Sequence, residues 1–164
     1  LPWGITVGND KTIYVADWGN HCIKKYSQNG DLLSEFGSLG KEDGQFRNPS
    51  SVAVDSTGYI YVADWGNERV QILDTKGSFL AKLRGEATLS VWGQEYLDGN
   101  YEEAEPRSRS NLEPDIEMFG EDPHEESAHI EKYFWGPTSI KIDRKDRLYV
   151  TESNRHRVQI YEKI

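Results

Sequence analysis

Asp64 and Arg69 stand five residues apart, and Glu152 and Arg157 repeat that spacing. A carboxylate that ends one strand and a guanidinium that opens the next meet across a short turn. The planar fork of arginine suits carboxylate pairing. Acid–base catalysis needs such a pair once, whereas recurrence in several copies fits a structural clasp. Asp17, Asp64, Arg69, Glu152 and Arg157 are read as its members, and no catalytic residue is assigned. Asp17 faces Cys22 where the other copies have arginine, which leaves Lys24 or a neighbouring segment to answer its charge. Trp18 and Trp65 sit in the turns themselves, where an indole either packs on the adjacent turn or stacks on a ligand. His21 and His156 lie just after equivalent turns, and Asn67 and Arg155 lie within or beside them. Trp18, His21, Trp65, Asn67, Arg155 and His156 are therefore the candidate ligand-binding residues. His124 and His129 are five apart, a spacing that puts their rings on different faces of a helix and does not match a His-Glu-x-x-His metal motif. No metal site or cofactor is assigned. Cys22 reads as a small buried apolar residue.

The elements that hold these residues are written in a repeat. Residues 13–20 and 60–67 are identical, Ile-Tyr-Val-Ala-Asp-Trp-Gly-Asn, at an offset of 47. A third copy, Leu148-Tyr149-Val150-Thr151-Glu152-Ser153-Asn154, follows 88 positions after the second. In the second unit four short strands are expected at 51–54, 59–63, 69–73 and 78–83. Between them lie Asp55-Ser56-Thr57-Gly58, Asp64-Trp65-Gly66-Asn67 and Asp74-Thr75-Lys76-Gly77, whose Asp and Gly positions suit tight turns. Ile60-Tyr61-Val62-Ala63 is apolar at every position, so the sheet that contains it must be covered on both faces. Four-stranded sheets stacked radially satisfy that, which predicts an all-β propeller over a β-sandwich.

The motif Tyr-Val-Ala-Asp-x-x-Asn followed by Arg-Val-Gln-Ile, at 61–67 and 69–72, resembles the NHL repeat, and Arg157-Val158-Gln159-Ile160-Tyr161 continues the resemblance. It covers residues 2–84 and 137–161. It implies a propeller of six blades in the full protein, of which this chain holds about three. Two blades are expected at 1–84 and an incomplete third at 137–164. Opening at Leu1-Pro2-Trp3-Gly4 without a methionine, the chain reads as a piece of a longer protein, or as half of a ring closed by a second copy.

Between the second and third units, 85–136 is 40 residues longer than the equivalent 37–48. Leu89, Trp92, Tyr96 and Leu97 recur at helical spacing within 87–98. Asn100-x-x-Glu103 resembles a capping box, with Pro106 limiting the helix it opens. Asp122-Pro123-x-Glu125 opens a third helix expected to run to about Tyr133. The segment is read as a helical insertion, the alternative being a degenerate blade. Residues 81–136 carry 5 basic and 14 acidic groups, equal to the whole chain's net charge of −9. That is either a solvated helical face or an acidic partner surface. In an antiparallel four-stranded blade, the link between strands two and three and the link to the next blade leave from the same end. The insertion therefore shares a face with the Trp-bearing turns and is expected to wall or cover it.

The charge disfavours broad binding of nucleic-acid phosphates, and no apolar run is long enough to span a membrane. One cysteine excludes an internal disulfide framework and any multi-cysteine zinc site. The expected function is a non-enzymatic scaffold that binds a protein or small-molecule ligand on its turn-rich rim. The alternative implied by six-bladed relatives is a metal-dependent lyase or lactonase-like hydrolase whose channel site is shared with further blades. Cellular location is not indicated.

Overall fold

A computed structural model describes residues 1–114 and 122–162; part of the insertion and the last two residues of the third unit lie outside this range. Three antiparallel sheets form in chain order. The first is β1(Pro2–Val7), β2(Ile13–Asp17), β3(Cys22–Tyr26) and β4(Leu32–Phe36); the second is β5(Pro49–Val54), β6(Ile60–Asp64), β7(Arg69–Leu73) and β8(Phe79–Leu83). Helices α1(Val91–Gly99), α2(Tyr101–Arg109) and α3(Pro123–His129) follow. The third sheet is β9(Pro137–Ile142), β10(Leu148–Glu152) and β11(Arg157–Tyr161). Each is a meander in which neighbours in sequence are neighbours in the sheet, so each is a propeller blade. Each first strand opens on a proline (Pro2, Pro49, Pro137), where a missing N–H costs the ladder least.

The hairpins are fixed by their own side chains. Asp55 Oδ1 accepts from the backbone N–H groups of Thr57 and Tyr59, and Asp74 Oδ1 does the same for Lys76 and Ser78. Gly58 and Gly77 close these turns at φ of 89° and 87°, a region glycine enters without the steric cost a side chain meets.

Two apolar seams hold the blades together. Tyr14, Ala16, Ile23, Phe46, Val52, Ile60, Val62 and Leu73 fill the space between blades one and two. Ala53, Tyr61, Ala63, Val70, Phe134, Ile140, Leu148 and Val150 fill that between two and three. Successive residues of β6 point into opposite seams, which is why all five are buried. In β2 and β10, whose blades have one neighbour, buried and more exposed residues alternate instead. The innermost strands also touch through polar atoms. Ser50 Oγ donates to the Pro137 carbonyl at 2.9 Å, and Ile140 N donates to Ser51 Oγ at 3.2 Å.

Four features of the insertion differ from the sequence reading. Helix α1 begins at Val91, not Ala87, where Ser90 caps it by accepting from Gly93 N. Asn100 is the N-cap residue of α2, as expected, but its side chain makes no capping bond; its Nδ2 donates to the Tyr96 carbonyl and closes α1 instead. Pro106 does not stop α2, which continues to Arg109 because the carbonyl left unbonded, that of Glu102, belongs to an exposed residue. Helix α3 ends at His129, short of Tyr133, when Ile130 turns extended.

Cys22 is buried and free among the described residues. Burial, with the nearby carboxylates of Glu35 and Asp17, pushes its thiol up to about 11. At pH 8 the native chain is therefore expected to react with a thiol-specific disulfide reagent at least about a hundredfold more slowly than the urea-unfolded chain, since the thiolate is the nucleophile. Equal rates in the two states would contradict the buried position.

Candidate functional site

The rim is built outward from the clasps. Asp64 is fully buried. Its Oδ1 accepts from Arg47 N at 2.7 Å, and its Oδ2 accepts from Asn67 Nδ2, Arg69 Nε and Gln71 Nε2 at 2.8, 2.8 and 3.2 Å. Arg69 then donates to the carbonyls of Glu42 and Gln45, and Gln71 Nε2 donates to that of Gln45. The carboxylate thus ties its own turn, the next strand and the loop leading into the blade. Glu152 repeats the plan: it accepts from Trp135 N, Arg157 Nε and Gln159 Nε2, while Arg157 donates to the carbonyls of Glu131 and Tyr133. In the first blade Asp17 pairs with Lys24 at 2.9 Å, one of the two substitutes expected in the absence of an arginine.

These clasps also locate the insertion. Phe46 N donates to Ser38 O and Phe134 N to Arg84 O, so each loop folds back on the chain just after the preceding blade, and Arg47 N and Trp135 N meet equivalent clasp carboxylates, Asp64 and Glu152. Residues 130–136 play the part of 42–48, and the extra chain is inserted inside an ordinary inter-blade loop. Gly85, at φ 96°, lies so close to this closure that a Cβ would stand 2.6 Å from Lys132 O and Phe134 N.

Of the expected ligand-binding residues, two are committed elsewhere. Asn67 is buried within the Asp64 clasp and also donates to Gly40 O. Arg155 donates to the carbonyls of Ser127 and Ile130 at the end of α3, and its guanidinium lies 5.3 Å from the Trp135 ring centre. A donor-rich side chain beside an unsatisfied helix end is drawn to it. His21 and His156 occupy left-handed positions after their turns, at φ 55° and 51°. His21 Nδ1 accepts from Asn48 N at 3.0 Å, and His156 is exposed. Trp18 and Trp65 are half-buried and brought together, with ring centres 5.0 Å apart. Trp3, which the motif reading did not include, stacks on Trp18 at 4.7 Å and 26° and is 58% exposed.

Sequence reasoning passed over Glu68 and weighed His124 only against a metal motif. Glu68 stands at the position of His21 and His156, at φ 51°, and is 1% exposed. Its Oε2 accepts from Gly136 N and its Oε1 meets His124 Nδ1, both at 2.6 Å. Trp135 Nε1 donates to His124 Nε2 at 3.3 Å, so the imidazole carries its proton on Nδ1 and gives it to Glu68. Burial pushes the Glu68 carboxyl up, and the Gly136 and His124 bonds oppose that shift. Helix α3 is thereby fixed to the second blade's turn at one end and, through Arg155, to the third blade's turn at the other. The shared offsets of 47 and 88 place His21, Glu68 and His156 in one column of the repeat, and that column was the signal for Glu68. Among the described residues no group of three His, Cys, Asp or Glu side chains could hold a metal ion.

The NHL repeat family matches at residues 1–26, 46–73 and 134–161, half of the chain. The chain belongs to the NHL repeat family. The matched spans contain every clasp residue, and the unmatched ones contain all three helices. Over 53 residues, 32% of its length, this NHL chain is 40% identical to Protein brain tumor of Drosophila melanogaster, of which that covers 5%. Among solved structures it is similar to a Bacteroides thetaiotaomicron protein of unknown function (TM-score 0.62, 17% identity, 98% of this chain and 34% of that one). It is also similar to virginiamycin B lyase of Staphylococcus aureus (TM-score 0.51, 13% identity, 99% of this chain and 41% of that one). At these identities the likeness is one of fold, that of the β-propeller. The NHL chain spans well under half the length of each of these proteins.

Proposed function

We propose that this NHL propeller segment is a binding scaffold, not a catalyst, and that it takes a protein or small-molecule ligand on its turn-rich face. The observation that carries this reading is the stack of Trp3, Trp18 and Trp65 across the rim of two blades. Rigid indoles offer a large contact area at little entropic cost. Around them, the ionic groups a reaction would call on (Asp64, Arg69, Glu68, Glu152 and Arg157) are engaged in holding loops. Helix α3 of the insertion lies against this face, where His124 meets Glu68 just after the Trp65 turn. Exposed Ile5, Val7, Val158 and Ile160 on the outer sides of the first and last blades support completion of the ring by further blades or a second copy. The net charge of −9 argues against nucleic acid as the ligand.

The test is a screen of the chain against glycan and peptide arrays, repeated with Trp3→Ala and Trp18→Ala. Ligands of the rim are expected to lose about tenfold or more in affinity in either variant, with far-UV circular dichroism unchanged. Hits that survive both variants equally would remove the stack as the site. Stoichiometric binding of zinc, magnesium or calcium in calorimetry would move the reading to a metal-dependent enzyme.

A further inference from the structure

Helices α1 and α2 form a hairpin that buries no residue of its own: neither helix has a fully buried side chain. Each has nine residues, below the length at which an isolated helix holds itself in water. The hairpin is nevertheless tied to the third blade by two ion pairs. Arg107 meets Glu131 through a two-pronged pair at 2.8 Å on each prong, and Lys132 pairs with Glu113 at 2.9 Å. Both roots reach the loop leading into the third blade, one from α2 and one from the chain just after it. What it presents there is apolar. Trp92 is 83% exposed and Tyr101 77%, with Val91 and Tyr96 also exposed. A rooted element with large aromatic side chains in water and no core beneath them has the form of an unfilled half-interface.

Its charge says what fits. The two cations of α2 are engaged, Arg107 with Glu131 and Arg109 with Glu105. Glu95, one turn from Trp92, and Glu102, beside Tyr101, remain on the surface with Asp98 and Glu103. The charge left to offer is therefore all negative, and it lies beside the aromatic side chains. We propose that the α1–α2 hairpin is a docking element for a protein partner that presents an apolar groove rimmed by lysine or arginine. This surface is separate from the rim stack and stands whether or not the rim binds a ligand.

The probe is a designed amphipathic helical peptide of leucine and lysine, paired with one in which glutamate replaces every lysine. The exchange of α1 and α2 backbone hydrogens is followed by mass spectrometry, and binding by fluorescence anisotropy of a dye on the peptide. The lysine peptide is expected to slow exchange across 91–109 and to bind more weakly as salt rises. Its affinity should fall about tenfold in Trp92→Ala and in Tyr101→Ala, while Trp3→Ala leaves it unchanged. Equal binding of the glutamate peptide, protection elsewhere in the chain, or full affinity in both aromatic variants would overturn the proposal. So would a dimer in sedimentation that Trp92→Ala dissolves, because the occupant would then be a second copy.

Discussion

Asp64→Ala is expected to lower the free energy of unfolding by about 3–5 kcal/mol, the range for removing one partner of a buried ion pair. The carboxylate is the common acceptor for four donors, and its loss leaves the buried Arg69 charge with only the half-exposed Asp43 carboxylate, 3.9 Å away, to answer it. The loop before β5 is freed as well, since Arg47 N and the Arg69 bonds to Glu42 and Gln45 depend on the same geometry. Total stabilities of domains are about 5–15 kcal/mol, so urea denaturation will read the change easily. Adding Arg69→Met should recover part of the loss by removing the stranded charge. A change below about 1 kcal/mol, the scale of a surface pair, would show that the clasp is decorative.

Phe134→Ala is expected to cost about 3–5 kcal/mol, as for other large-to-small changes at closed sites. The ring is fully buried between the second and third blades and meets Tyr161 edge-on, with centres 6.0 Å apart. Phe46→Ala makes the equivalent cavity between the first and second blades, where no insertion is attached, and should cost a similar amount. The two variants are expected to part under limited proteolysis. Loss of Phe134 unseats the segment that roots the insertion and should speed cleavage there severalfold, whereas Phe46→Ala should leave it near the parent rate. Identical cleavage in both would mean that the insertion is held independently of the blade seam.

The blades were legible because the chain repeats itself. Eight identical residues at one offset set the strand register, and the all-apolar run of β6 announced a sheet covered on both faces. The clasp was legible because a charge pair recurring at one spacing has a structural meaning. The same column logic was available for Gln71 and Gln159, polar residues between apolar neighbours, and for Glu68. It was obscured at Glu68 because the column changes from histidine to glutamate and back, so that only position, not residue type, is kept. Asn67 read as a rim residue because turns face water, but a buried carboxylate three residues earlier draws its amide inward. The insertion was harder because helix ends compete. Asn100 stands where α1 stops and α2 starts, and a side chain has one set of bonds to give; the carbonyl behind it won. The placement of α3 rests on His124 meeting a glutamate 56 residues away, a contact that no local pattern contains.

The column of left-handed residues has a direction. His21 of the first blade receives the N–H of Asn48, which leads into the second; Glu68 of the second receives the N–H of Gly136, which leads into the third. In both cases the receiving group is the earlier one in the chain. On a ribosome, where the amino-terminal part emerges first, the acceptor of each such bond is therefore made before its donor.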